Sequence, residues 1–348
     1  MQALDDILHY ARERGYSDVH LGGGTNIMLR ENGTLIPYTH QFTAEDIVIM
    51  IESMLNEKEL QQLKDGHDID MVYVEGNNRY RVNVYQERGR TCAALRIIYE
   101  RIRSLNELGL PPILEKLTKD PRGLVLLTGP TGSGKSTTLA AMINEINMNR
   151  KCHILTIEDP IEYVYNQQLA LIHQREINFD VDSFDTALRS AMREDPDVIL
   201  VGEMRDYETI QAVMTLAETG HLVFSTLHTI GAAKTIDRII DVFPPHKQAQ
   251  IRTQLSGVLN AVVTQQLIPT ADNLSRVAAL EVMLVTPAIE NLIRENKGHQ
   301  INSMIQTGMS MGMQSLNMSL AGLVRQGRIS RESALRYSDN VEELKTMI

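Results

Sequence analysis

One glycine-rich stretch limits the folds open to this chain more than any other feature. Residues 129–137 read Gly-Pro-Thr-Gly-Ser-Gly-Lys-Ser-Thr, directly after the apolar run Leu124–Thr128 and at the start of a helical segment. The pattern Gly-x-x-x-x-Gly-Lys-[Ser/Thr] between a strand and a helix predicts a phosphate-binding loop, or P-loop. A chance glycine-rich turn is the alternative, and nine matching residues in the right setting argue against it.

The residue types of this loop suit a bound triphosphate and a metal ion. Glycines let the backbone curl so that successive N–H groups point at phosphate oxygens, and the following helix adds its positive end. We expect Lys135 to reach the β- and γ-phosphates and the Ser136 hydroxyl to hold Mg²⁺. The predicted nucleotide-binding residues are Gly129, Pro130, Thr131, Gly132, Ser133, Gly134, Lys135, Ser136 and Thr137. The loop alone separates neither ATP from GTP nor transfer to water from transfer to a second substrate.

Short apolar runs from residue 123 onward predict a parallel β-sheet. They alternate with helical segments and lie at Leu124–Thr128, Ile154–Ile157, Val198–Val201 and His221–Ser225. Strands buried on both faces and separated by helices indicate a largely parallel sheet with helices on both sides. We therefore expect an α/β core over residues 123–270 and a mainly helical region over 271–348.

The first hundred residues show a different pattern, of mixed helix and antiparallel strand. Leu4, Ile7, Leu8 and Ala11 recur at helical spacing. Alternating apolar and polar residues over 69–84 predict a hairpin with one wet face, and a third strand follows over about 91–98. These patterns predict an α+β domain over 1–98, then a linker with a short helix over 99–122.

Charge and composition argue against several partners. The chain has 34 Lys and Arg against 44 Asp and Glu, a formal net charge of −10. Such a surface repels polyanions, so we expect no nucleic-acid partner. No apolar run approaches the ~20 residues that cross a bilayer, and no signal peptide is visible. Cys92 and Cys152 have no metal-site spacing. We expect a cytoplasmic protein without direct membrane insertion.

Two acidic segments follow predicted strands and are candidates for catalysis. Glu203 comes just past the run Val198–Val201, where ligands bind in open α/β sheets. It fits a Walker B role, with Glu in place of the usual Asp, which predicts contact with Mg²⁺ through water. The second segment, Thr156–Glu162, places three acids after the run Ile154–Ile157. For each acid, the alternative is a solvated loop carboxylate.

One histidine lies where it could sense a phosphate. His228 follows the predicted strand His221–Ser225, at the sheet edge where phosphate binds. A histidine there could respond to the γ-phosphate and pass the signal on by hydrogen bonding. A purely structural histidine is the alternative.

These segments together resemble the secretion and type IV pilus ATPase superfamily, and the similarity to its PilT-type retraction motors spans nearly the whole chain. Residues 129–137 resemble the family's Walker A loop, and Ile157–Glu162 its Asp box. Glu194–Glu203 resembles its atypical Walker B motif, and Gly220–Thr229 its His box. The combination is far more specific than any one motif.

The resemblance implies a fold and an activity. The fold is an α/β, RecA-like P-loop core with a PAS-like α+β N-terminal domain and a helical C-terminal region. The activity is hydrolysis of ATP to ADP and phosphate by a ring of six identical subunits. The ring would act beneath the inner-membrane platform protein of a type IV pilus and drive pilin removal, hence twitching motility.

The resemblance also assigns roles to individual residues. In the family, glutamates of the Asp box and of Walker B are the catalytic acids, which implies Glu162 and Glu203 here. Two arginines of the N-terminal domain reach the nucleotide phosphates, often those of a neighbouring subunit, and Arg81 and Arg96 match them. Each arginine could instead be a plain surface charge.

The sequence is compatible with functions other than retraction. Assembly and type II secretion ATPases share the core, but they typically carry a longer N-terminal region and often a four-cysteine zinc site that this chain lacks. Residues 288–295 resemble a helix signature associated with retraction, although Glu290 replaces its first arginine. A nucleotide sensor without hydrolysis is a third possibility, and the carboxylates and arginines argue against it.

Overall fold

The computed structural model describes residues 2–22, 26–31, 33–76, 78–98 and 101–348, without the side chain of Gln2. The chain forms two compact units, Met1–Arg101 and Ile102–Ile348. Residues 99 and 100, where the predicted linker begins, lie outside the described part. We retain 1–98, 99–122, 123–270 and 271–348 as proposed domain limits.

The first unit is an antiparallel sheet covered by helices. Its elements are α1 (Gln2–Glu13), β1 (Asp18–Gly22), β2 (Met28–Glu31), β3 (Thr34–Pro37), α2 (Ala44–Glu52), α3 (Glu57–Lys64), β4 (Ile69–Glu75), β5 (Asn78–Glu87) and β6 (Arg90–Ile98). The strand order is β3-β2-β1-β6-β5-β4. Leu4, Ile7 and Leu8 of α1 are fully buried, as are Tyr80 and Val82 of β5. Both patterns agree with the helical and alternating spacings of the sequence.

The second unit is built on a seven-stranded sheet. Its strands are β7 (Gly123–Thr128), β8 (His153–Glu158), β9 (Leu171–Glu176), β10 (Val198–Val201), β11 (Leu222–Leu227), β12 (Leu259–Pro269) and β13 (Arg276–Leu284). The order is β13-β12-β7-β11-β10-β8-β9. The β12–β13 pair is antiparallel, and the other neighbours are parallel.

Helices cover both faces of this sheet. They are α4 (Ile113–Leu117), α5 (Lys135–Asn149), α6 (Phe184–Ala191), α7 (Tyr207–Glu218), α8 (Ala232–Asp241), α9 (Pro245–Val258), α10 (Pro287–Arg294), α11 (Ile301–Thr307), α12 (Leu316–Arg325), α13 (Arg331–Tyr337) and α14 (Val341–Met347). Leu124 and Leu126 of β7 pack into one apolar cluster, and Val125 and Leu127 into another. The predicted α/β fold with a parallel core sheet is confirmed.

Three strands of the second unit were not predicted from the sequence. They are β9, β12 and β13, and β13 lies in the region expected to be mainly helical. Residues 277–284 form an apolar run with one buried acid, and such a run alone does not distinguish a buried strand from a buried helix. The run forms a strand here because it pairs with β12. None of the described helices combines the length and apolar character needed to cross a membrane.

Candidate active site

The P-loop joins the carboxyl end of β7 to the start of α5. Gly134 caps the helix in a left-handed conformation, with φ at 85°, and no side chain caps the helix end. The first-turn N–H groups of an α-helix have no partner within the helix, so they are available to an anion. The predicted loop therefore forms between the elements that its pattern requires.

Gly129 fits this loop because it has no side chain. Its φ is 136°, and a Cβ there would collide with the main-chain carbonyl oxygen of Gln265 on β12. Only glycine combines that backbone conformation with so close an approach. The neighbouring strand β12 thus fixes the start of the loop.

Replacing Gly129 with Ala should lower the free energy of unfolding by about 1–3 kcal/mol, because an added methyl group forces the loop away from β12. We also expect weaker ATP binding. Urea denaturation and ATP titration measure the two effects. Gly322→Ala is the matched control: Gly322 lies within α12 with open space around its Cα. That substitution should stabilise the chain by roughly 0.5–1 kcal/mol, and equal behaviour of the two variants would contradict our account of Gly129.

Lys135 lies inside the loop and contacts its carbonyl groups. Its Nζ donates hydrogen bonds to Gly129 O at 2.8 Å and to Pro130 O at 3.1 Å, and the residue is 8% exposed. Burial lowers the pKa of the ammonium group, while the charges of Glu203 and Glu162 act in the opposite direction. Both predicted catalytic acids are therefore close enough to influence the P-loop lysine.

The hydroxyl groups of the loop are partly engaged. Ser133 Oγ is buried and has no hydrogen-bond partner among the described residues. Thr137 Oγ1 lies 2.8 Å from the hydroxyl of Tyr163, in the segment that carries Glu162. Ser136 is half-buried in the first turn of α5. A buried hydroxyl without a partner, beside uncapped amides, fits a loop that binds phosphate oxygens.

Gln265 of β12 holds the loop against α5, and the sequence analysis did not identify it. Its Oε1 accepts a hydrogen bond from Thr138 Oγ1 at 2.8 Å, and its Nε2 donates to Ser133 O, also at 2.8 Å. The amide is buried, so both bonds form in a low-dielectric interior where unmade bonds are costly. No motif marks this residue, because its contacts lie far away in sequence.

Glu203 and His228 form a hydrogen-bonded chain that reaches the P-loop. Glu203 Oε1 lies 3.2 Å from His228 Nε2, and His228 Nδ1 lies 3.3 Å from Thr131 Oγ1. Glu203 Oε2 pairs with Arg205 Nη2 at 2.9 Å. Burial raises the pKa of Glu203, but Arg205 and His228 outweigh it, so the pKa lies below its usual range. The carboxylate is ionised at neutral pH.

Glu162 lies exposed in a segment that follows β8. Directly behind it is Glu158, whose carboxyl is buried. Burial raises the pKa of Glu158 to about 7, although hydrogen bonds from Thr156, Gln174 and the Glu162 backbone act against this rise. In the sequence, Glu158 is one of three acids in this segment. Only the folded sheet shows that its carboxyl is buried.

Arg81 and Arg96 belong to the first unit, whereas the other predicted site residues belong to the second. The two arginines are Cα partners on β5 and β6. Arg81 is exposed, and Arg96 Nε pairs with Asp18 Oδ1 at 2.9 Å. The structure thus brings the two arginines together on one sheet, and their role toward phosphate remains a prediction.

Comparison with known proteins defines the class of the chain. The family model described as "Type II/IV secretion system protein" matches residues 1–319. The chain belongs to this family.

Individual relatives narrow the similarity. The chain is 48% identical over 337 residues to the type IV pilus retraction ATPase PilT of Pseudomonas aeruginosa, covering 95% of this chain and 96% of the relative. It is 51% identical over 305 residues to a twitching motility protein of Neisseria gonorrhoeae, with 87% and 82% covered. A crystal structure of the pilus retraction motor PilT with bound ADP superposes with a TM-score of 0.91 at 44% identity, covering 98% of each chain. The resemblance to PilT-type retraction ATPases is confirmed.

Proposed function

We propose that this chain is the subunit of a homohexameric, ATP-hydrolysing motor that powers retraction of type IV pili and so twitching motility. One observation carries the chemistry: Lys135 lies buried within the P-loop, and Glu203 is linked to the same loop through His228 and Thr131. The similarity to retraction ATPases over nearly the full chain supports the biological role.

The loop fits a triphosphate with Mg²⁺. The uncapped first turn of α5 and the buried Ser133 hydroxyl offer donors to phosphate oxygens. Lys135 would exchange its loop carbonyls for the β- and γ-phosphates, and Ser136 would hold the metal with Glu203 beyond it. When bound, the metal neutralises charge on the phosphate oxygens.

In this proposal, two carboxylates act on the attacking water. Glu203 is ionised, and its link through His228 to Thr131 lets a change at the loop reach the acid. Glu162 lies in the segment that follows β8, the strand next to β10. Together they orient the water and accept its proton, which general-base catalysis requires.

Cationic groups complete the site. Arg81 and Arg96, from the N-terminal unit of the same or a neighbouring subunit, neutralise the charge that develops on the transferred phosphate. Contacts made by ATP and lost after hydrolysis couple each turnover to a change of conformation. The ring acts at the cytoplasmic face of the inner membrane through the pilus platform protein.

Deleting the gene should leave cells with excess, immobile pili, because pilin removal stops while assembly continues. Pilus counts by electron microscopy and a twitching assay measure this. Complementation with the intact gene should restore both, and complementation with a Lys135→Ala gene should not. Cells without pili would instead assign the chain to assembly, the principal alternative.

A further inference from the structure

The segment that carries Glu162 has no regular secondary structure to hold its backbone. Residues 161–167 form neither helix nor strand, although they directly follow β8 and the Asp159-Pro160 pair. A catalytic acid needs a fixed position, since a displacement of about 1 Å can cost roughly 100-fold in rate. Something other than regular secondary structure must hold this segment.

Side chains of the edge strand β9 hold it on both sides of Glu162. Gln174 Nε2 donates to Tyr163 O at 2.8 Å, and Gln174 Oε1 accepts from Tyr165 N at 3.0 Å. Glu176 Oε2 accepts from Ile161 N at 3.3 Å. Gln174 and Glu176 are two residues apart, so they project from the same face of β9.

The same amide also reaches the carboxyl behind Glu162. Gln174 Nε2 lies 3.4 Å from Glu158 Oε1, the buried carboxyl at the end of β8. One side chain therefore contacts both the segment after Glu162 and the end of the strand that precedes it. A primary amide suits this position because it offers donors and an acceptor, as a backbone peptide group does.

The opposite face of β9 is anchored independently. Arg175 Nη1 donates to Glu194 Oε1 at 2.6 Å and to Ser190 Oγ, at the end of α6, at 2.8 Å. The strand also pairs with β8 along its whole length, from Leu171 to Glu176. A substitution at Gln174 thus leaves β9 in place and removes only its hold on the segment after β8.

We infer that Gln174 is a positioning residue for hydrolysis, whose side-chain amide takes the place of a neighbouring strand for residues 163–165 and so fixes Glu162 next to Tyr163, which contacts Thr137 of the P-loop. The inference rests on the proposed function and goes beyond it, since Gln174 belongs to none of the motifs that carry the resemblance.

Gln174→Met tests it, because methionine keeps the length and loses both hydrogen-bonding groups. We expect kcat for ATP hydrolysis to fall by about 10-fold to 100-fold, with the Kd for ATP within about twofold of the native value. Hydrogen exchange at the Tyr165 amide should become faster, while exchange at the P-loop amides stays unchanged. Gln168→Met, at an exposed position just after this segment, is the matched control and should retain native turnover.

A double-mutant cycle with Glu162→Gln separates positioning from general weakening. If Gln174 acts through Glu162, the double variant should turn over ATP at the rate of Glu162→Gln alone. The inference would be overturned if the losses in kcat of the two single variants multiplied in the double variant, or if Gln174→Met kept native kcat. Either result would leave the proposed ATPase intact. A native protein that hydrolyses no ATP would overturn both. Gln174→Glu keeps the acceptor for Tyr165 N but sets an oxygen against Tyr163 O and Glu158 Oε1, so this second variant should also fall below native kcat.

Discussion

Replacing Lys135 with Ala should reduce ATP turnover by at least about 100-fold, the usual cost of removing a group that stabilises developing charge. The ammonium is buried inside the loop, where it donates hydrogen bonds to two loop carbonyl groups. ATP binding should weaken as well, because the β- and γ-phosphates lose their main counter-charge. Phosphate release and ATP titration measure both effects.

Lys151→Ala is the control for this experiment. Lys151 is an exposed lysine just beyond the carboxyl end of α5, so it carries the same charge without contact with the loop. Its turnover should equal that of the native protein. Appreciable ATP hydrolysis by the Lys135 variant would refute the assignment of the nucleotide site.

Replacing Glu203 with Ala should separate binding from hydrolysis. We expect turnover to fall by about 100-fold or more, as for the loss of a general base. ATP binding should persist, since the P-loop contacts remain. The ionised carboxylate lies at the end of a hydrogen-bonded chain from Thr131, and the substitution removes that end and the partner of Arg205.

Glu208→Ala serves as the reference, because Glu208 is an exposed acid five residues on, in the first turn of α7. It should leave turnover and binding unchanged. Full turnover by the Glu203 variant would show that this strand end does not carry the catalytic acid, and would leave Glu162 as the candidate.

The sequence predicted the centre of the second sheet well, for a physical reason. Strands β7, β8, β10 and β11 are buried on both faces, so each reads as a continuous apolar run that polar loops interrupt. The carboxyl ends of parallel strands meet at one edge, which placed Glu203 and His228 near the P-loop in advance. Their direct contact agrees with that argument.

The edges of the sheet were harder to predict. Strand β9 reads Leu-Ile-His-Gln-Arg-Glu, and its polar residues are those of an edge strand that contacts loops and solvent. Gln174 of this strand holds the segment after β8, and its hydrogen-bond partners are determined by the folded chain. The same holds for Gln265, which is 127 residues from Thr138 in sequence. Local patterns carry no information about such pairs.

The hydrogen bonds made by Gln265 connect the P-loop, through β12 and β13, to the helices at the C-terminal end of the chain. Strand β12 bears this amide and pairs with β13, and Ile268, Val277 and Ala279 of these two strands pack against Leu316 and Leu320 of α12. Tension applied to the terminal helices would therefore travel along this hairpin and arrive at the loop through the pairing of β12 with β7 and through the Gln265 side chain. In a machine that works against a load, that short route makes the terminal helices a natural place to sense resistance.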